Sequence, residues 1–163
     1  MNKIILHWTA GINQPCSTDY EHYHYLINKD GVILKGKFAP EDNLNCNDGK
    51  YAQHCGGGNT GAIGVSMCGM YVPKGVNIKE TKFPLTRIQC EAAFKLIAEL
   101  CKKYNIKITP QTVLTHYEFG QAHPKTSSYG KIDIVYLHPF PEIDKKNMGD
   151  FIRNKIKWYF NKL

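Results

Sequence analysis

The chain has 163 residues, 42% hydrophobic and 21% charged, which is enough for one domain with a continuous core and too short for two independent ones. Its formal charge of +7 and pI near 9.0 draw it toward polyanions, whether nucleic acid, anionic envelope polymers or lipid head groups. The lysines are scattered and no zinc finger, helix-turn-helix or aromatic RNA-binding signature is present, which argues against nucleic acid. No apolar run approaches the length of a membrane span.

Residues 3–8 open the chain with a short apolar run, Ile4-Ile5-Leu6, the pattern of a strand buried on both faces, and Thr9-Ala10-Gly11 breaks it. His7 therefore sits where a buried strand emerges. A cleavable leader would remove that strand and His7 with it, so the chain is expected to be made in the cytoplasm without a signal peptide. Residues 12–21 are turn-rich. Tyr23 to Asn28 then predicts a second strand, Lys29-Asp30-Gly31 a tight turn and Val32 to Leu34 its hairpin partner, so the sheet is expected to be mixed.

Residues 36–60 are rich in Gly, Asn, Asp and Pro and read as a long surface loop, a frequent place for function. Ala62 to Met67 predicts another apolar strand, and residues 73–85 a second polar loop. Thr86 with Gln89 forms a capping box that opens a helix to about Tyr104, with Cys90, Phe94, Ile97, Cys101 and Tyr104 on one stripe. Thr112 to Thr115 predicts a short strand delivering His116, and residues 117–146 read as mostly irregular. Met148 to Leu163 closes the chain as a basic amphipathic helix. Met148, Phe151, Ile152, Ile156, Tyr159 and Leu163 share one side, with Arg153, Lys155, Lys157 and Lys162 mostly elsewhere. Such a helix can pack on the sheet or lie on an anionic membrane or envelope surface.

Six cysteines stand at 16, 46, 55, 68, 90 and 101 without CxxC pairs. Most are expected to be small buried hydrophobes, while Cys46 and Cys55 bracket a loop and could pair in an oxidising compartment. The chemistry is expected from His7 and His116, each at the end of a predicted strand, where a parallel sheet presents side chains to a common crevice. With Asp133 to complete the set, two imidazoles and a carboxylate can hold one zinc ion and leave a fourth position for water, a hydrolase's arrangement. His123 is the alternative third ligand.

Several segments occur in one order: Ile5-Leu6-His7-Trp8-Thr9-Ala10, Tyr23-His24-Tyr25-Leu26-Ile27 with Lys29-Asp30-Gly31, His54 with Asn59 and Ala62-Ile63-Gly64-Val65, Thr115-His116-Tyr117-Glu118, and Lys131-Ile132-Asp133. This series resembles the zinc-dependent N-acetylmuramoyl-L-alanine amidases, which include phage amidase endolysins, wall-recycling amidases and peptidoglycan recognition proteins. The resemblance covers about residues 3–140. It implies His7, His116 and Asp133 as zinc ligands and hydrolysis of the amide between the muramic acid lactyl group and L-alanine.

Lys131 matches the family lysine that steadies the oxyanion, a fixed cation that helps more in the transition state than in the ground state. Tyr23 matches the family tyrosine whose hydroxyl holds water or donates to the tetrahedral intermediate; Tyr25 points to the same face, so strand phase alone does not separate the two. His54 and Asn59 match groove residues expected to bind glycan or peptide, with a turn-stabilising role as the other reading. Glu118 is expected to orient backbone or a ligand, with a general-base role as the weaker option. Two departures stand out. Only about a dozen residues join the first two strands, so the helix many relatives carry there is absent or reduced, and the His116 to Asp133 loop is longer than in compact members.

The expectation is thus a single α/β domain over 1–163, a catalytic core at about 3–140 and a terminal helix at about 148–162. Its mixed sheet is flanked by helices, with a zinc groove at the strand ends. The expected partner is peptidoglycan, both glycan strand and stem peptide, acted on at the bacterial cell wall by a monomer. A phage-type endolysin suits these features. A wall-recycling enzyme, an antibacterial effector or a non-catalytic peptidoglycan-binding module are the alternatives.

Overall fold

A computed structural model describes all residues, 1–163. Five strands form one sheet in the order β3-β2-β4-β1-β5: β1 is Lys3–Trp8, β2 Tyr25–Ile27, β3 Ile33–Lys35, β4 Ala62–Met67 and β5 Val113–Thr115. β1 runs parallel to both β4 and β5, β2 runs parallel to β4, and only the edge strand β3 is antiparallel. The sheet is mixed, as the hairpin predicted. Asn28 shapes that hairpin by accepting the N–H groups of Asp30 and Val32 on its side-chain oxygen, each at 3.0 Å, with Gly31 at φ +81°.

Strand parity divides the interior. Ile4, Leu6 and Trp8 of β1 face one side with Ile63, Val65 and Met67 of β4. Helices α2 (Arg87–Tyr104) and α4 (Met148–Phe160) cover that side through Phe94, Ile97, Met148, Ile152 and Ile156, giving a core of 25 buried residues. The other side holds a smaller cluster of Ile5, Cys55, Ala62, Leu114 and Phe119. His7 alternates onto this second side, beyond Ile5.

The capping box of α2 forms as expected, with the Thr86 hydroxyl accepting Gln89 N–H at 3.2 Å and Gln89 Oε1 accepting Thr86 N–H at 3.1 Å. The Gln89 amide then donates to Ile27 O and Cys68 O, at 2.8 and 2.9 Å, tying the helix start to the ends of β2 and β4. Two helices lie where turns or irregular chain were expected: α1 at Ser17–His22 and α3 at His116–Ala122. The first is six residues long and buries none of them. The long loop contains a 3-10 turn at Pro40–Leu44 and buries Asn43, Ala52, His54 and Cys55, so it is a wall of the second side rather than surface alone.

Arg153 departs from the expected solvated face of α4. It is buried, donating to Val113 O at 3.0 Å and to both Glu118 oxygens at 2.9 Å. All six cysteines are free, so the possible Cys46–Cys55 bridge is not formed. No helix is long and apolar enough to cross a membrane.

Candidate metal centre

The register of the parallel strands brings the first two candidate ligands level. Leu6 of β1 faces Thr115 of β5, so His7 and His116, each one residue on, emerge side by side at the carboxyl ends of their strands. His116 begins α3. The turn that places it is a capping box, in which the Thr115 hydroxyl accepts Glu118 N–H at 3.1 Å and Glu118 Oε1 accepts Thr115 N–H at 3.0 Å. Asp133 arrives from the loop after α3, whose Asp133 carbonyl accepts Tyr117 N–H at 2.5 Å.

The three side chains converge. His7 Nδ1 lies 3.2 Å from His116 Nδ1 and 3.1 Å from Asp133 Oδ2, and His116 Nδ1 lies 3.4 Å from the same oxygen. All three residues are buried, with one ligand atom from each within 4.8 Å of the others. His123 is elsewhere: its ring stacks on Phe119 at 4.0 Å and its Nδ1–H donates to Phe119 O at 2.9 Å. Glu118 is likewise committed, to the turn before α3 and to Arg153, so its carboxylate is not available as a base at this centre.

Burial pushes His7 down to about 4, against the pull of Asp133. Burial also opposes charge on His116, but hydrogen bonding to Asp133 outweighs it and lifts the imidazole to about 9. Asp133 shows the same balance in mirror image, with burial opposed and overcome by the two imidazoles, so its carboxyl is held below the usual range. The set therefore favours one shared positive charge beside a carboxylate.

A second set of groups stands behind the ligands. His7 Nε2 is 3.0 Å from His54 Nδ1, and His54 Nε2 donates to Ala62 O at 3.2 Å. His116 Nε2 is 2.9 Å from the Ser128 hydroxyl, which donates to Gly56 O at 2.7 Å and lies 3.4 Å from the Cys55 thiol. Gly64 makes this packing possible, because a Cβ there would come within 2.5 Å of the His54 ring. Asn59 accepts the backbone N–H groups of His54 and Cys55, at 3.0 and 2.8 Å. Both predicted groove residues line the cleft, yet Asn59 is engaged in shaping the loop and His54 is buried with both ring nitrogens occupied.

The centre floors a cleft of about 770 Å³ whose walls include Trp8, Tyr23, Tyr51 and Lys131. The Tyr23 ring centroid is 5.2 Å from that of His7, and burial followed by the Asp133 charge pushes its phenol above the ordinary value. Lys131 is exposed on the rim and belongs to none of the ion pairs. Ser128 was not foreseen from sequence. A serine in a Thr-Ser-Ser loop carries no pattern that distinguishes it, whereas the Thr115-x-x-Glu118 spacing of the α3 capping box is present in the sequence and the reading of 117–146 as irregular passes over it.

Among solved structures, the chain is similar to the N-acetylmuramoyl-L-alanine amidase LysC from Clostridium intestinale URNW, at 22% identity and a TM-score of 0.48, covering 71% of this chain and 69% of that one. It is similar to the same degree to the endolysin N-acetylmuramoyl-L-alanine amidase LysCS from that organism, at 22% identity and a TM-score of 0.48, over 71% of this chain and 68% of the other. Comparison with curated proteins finds no match. The family model for N-acetylmuramoyl-L-alanine amidase matches residues 1–132, which take in every strand and both candidate histidines, and the chain belongs to that family.

Proposed function

We propose that this amidase is zinc-dependent and hydrolyses the peptidoglycan amide between the N-acetylmuramic acid lactyl group and L-alanine, in the role of a phage-type endolysin. The observation that carries the reading is the convergence of His7, His116 and Asp133 at the strand ends, on the floor of a cleft. Two imidazole nitrogens and one carboxylate oxygen are a fitting donor set for zinc, and both imidazoles turn Nδ1 inward with Nε2 hydrogen-bonded behind. A binding module without catalysis would be expected to lack one of the three, and all are present.

When bound, zinc acidifies water and polarises the scissile carbonyl. The chain's own groups serve the rest of the reaction. Lys131 supplies a cation from the rim for the negative charge that develops on the carbonyl oxygen. Tyr23 offers a hydroxyl from the cleft wall beside His7, as a donor to the same intermediate. Hydrolysis delivers hydroxide to the lactyl carbon and a proton to the departing L-alanine nitrogen. The cleft of about 770 Å³ over the centre is where the substrate would lie, and the net charge of +7 favours approach to an anionic envelope.

The test is zinc content together with release of free amino groups from purified sacculi, for the wild type beside Asp133→Ala and His123→Ala. The expected result is about one zinc per chain and amine release for wild type and His123→Ala, with both lost in Asp133→Ala. Retention of zinc and activity without Asp133, or no amine release by the wild type, would sink the reading. Lysis on co-expression with a pore-forming partner checks the endolysin role.

A further inference from the structure

The hydrogen bonds behind His7 and His116 admit one assignment of protons. Ala62 O is a backbone carbonyl with nothing to donate, so His54 Nε2, 3.2 Å away, must carry the hydrogen of that contact. A neutral His54 then has Nδ1 free as an acceptor, and His7 Nε2 at 3.0 Å must be the donor to it. No carboxylate is among the hydrogen-bond partners of the buried His54, so nothing there calls for a second ring hydrogen. The second chain behaves the same way. Gly56 O takes the single Ser128 proton at 2.7 Å, which leaves the Ser128 oxygen to accept from His116 Nε2–H at 2.9 Å and from the Cys55 thiol at 3.4 Å.

Both relays end on backbone oxygens, so neither can run in reverse. Each ring therefore keeps a hydrogen on Nε2, and Nδ1, which faces Asp133, is the nitrogen left to bind a metal once any proton on it is displaced. We propose that His54 and Ser128 are positioning residues for metal binding: they lock His7 and His116 in the tautomer and ring orientation that a zinc ion requires. The inference rests on the zinc reading above and adds to it which residues hold the site ready. The supports of these two residues are consistent with such a task. Asn59 fixes the His54 and Cys55 backbone, and Gly64 leaves room for the His54 ring against β4. A donor fixed to the outer nitrogen also raises the basicity of the inner one, as outer partners of metal-bound histidines do.

The experiment compares the full chain with His54→Leu, His54→Gln and Ser128→Ala. Zinc affinity is read by competition with a chromophoric chelator, and the ring ¹⁵N shifts of His7 and His116 are read in the zinc-loaded protein. His54→Leu and Ser128→Ala are each expected to weaken zinc binding by about 10–100-fold. His54→Gln, whose amide can accept from His7 and donate to Ala62 O, should stay within a few-fold of wild type. The spectra should show Nδ1 bound and Nε2 protonated in both rings of the wild type. No zinc binding by the wild type would overturn the zinc reading itself. Zinc held by the wild type and equally tightly by His54→Leu and Ser128→Ala would overturn the relays alone. Should His54→Leu fail to fold, the wild-type spectra still decide, because Nε2 coordination in either ring contradicts the assignment.

Discussion

At the scale of single residues, His7 is the most legible member of the centre, because an apolar run that ends in a histidine states both the strand and the place where it opens. His116 was nearly as plain, from the short strand before it. Of the groups behind them, Ser128 was not legible and His54 was read only as a groove residue, for a physical reason: their contacts to the ligands span 12 and 47 positions, and nothing local marks a residue whose partner is set by tertiary packing. Lys131 offers the sharpest residue-level test. Exposed and free of ion pairs, it has no structural task to lose, so Lys131→Met should leave zinc content and melting temperature unchanged. The expected loss is in kcat, by about 10²–10³-fold, the cost of removing one stabiliser of a developing oxyanion. Unchanged kcat on sacculi would remove Lys131 from the chemistry.

Among elements, α3 and α4 are joined by a clamp that helix periodicity could not predict. Glu118 sits at the first turn of α3 and receives the buried Arg153 of α4 through two bonds of 2.9 Å, while Arg153 also reaches Val113 O in β5. Gly149 leaves space for this, since a Cβ there would lie 2.1 Å from a Glu118 oxygen. A hydrophobic stripe sorts residues by face and assigned Arg153 to solvent; a partner 35 positions away reversed that assignment. Removing the carboxylate strands a buried guanidinium, and with Glu118 itself a quarter exposed the loss is about 2 kcal/mol. Glu118→Ala should accordingly lower the melting temperature by roughly 5 °C. The exposed pair Lys37–Glu21, at 3.5 Å, makes the contrast: Lys37→Ala should change stability by less than about 0.5 kcal/mol. Equal effects of the two changes in thermal unfolding would show that the clamp adds nothing beyond a surface pair.

For the molecule as a whole, the mixed sheet and its helices could be read from apolar runs, one capping box and one hairpin turn, because those signals are local. What could not be read was the buried polar network of the second side. His24 is its most buried peripheral member, accepting Gly64 N–H on Nδ1 and donating from Nε2 to Asn43 Oδ1, both at 2.9 Å. Burial lowers it from 6.5 to about 4. Between those values the unfolded chain takes up a proton that the native chain refuses, so stability is complete above about pH 6.5 and declines as pH falls toward 4, by about 3 kcal/mol. Urea unfolding of the metal-free chain across this window should show the decline, and His24→Gln should make it shallower by one group's share, the remainder belonging to His7 and His54, which burial also lowers; parallel slopes would refute the assignment to His24. The alternation along β1 has one more outcome. The 25 residues that hold the sheet to α2 and α4 include none of the three candidate ligands, and no member of the long 36–60 segment. Inheritance can therefore rewrite most of the cleft wall, Trp8 and Met70 excepted because they belong to both, while the half of the molecule that makes the chain fold is passed on unaltered.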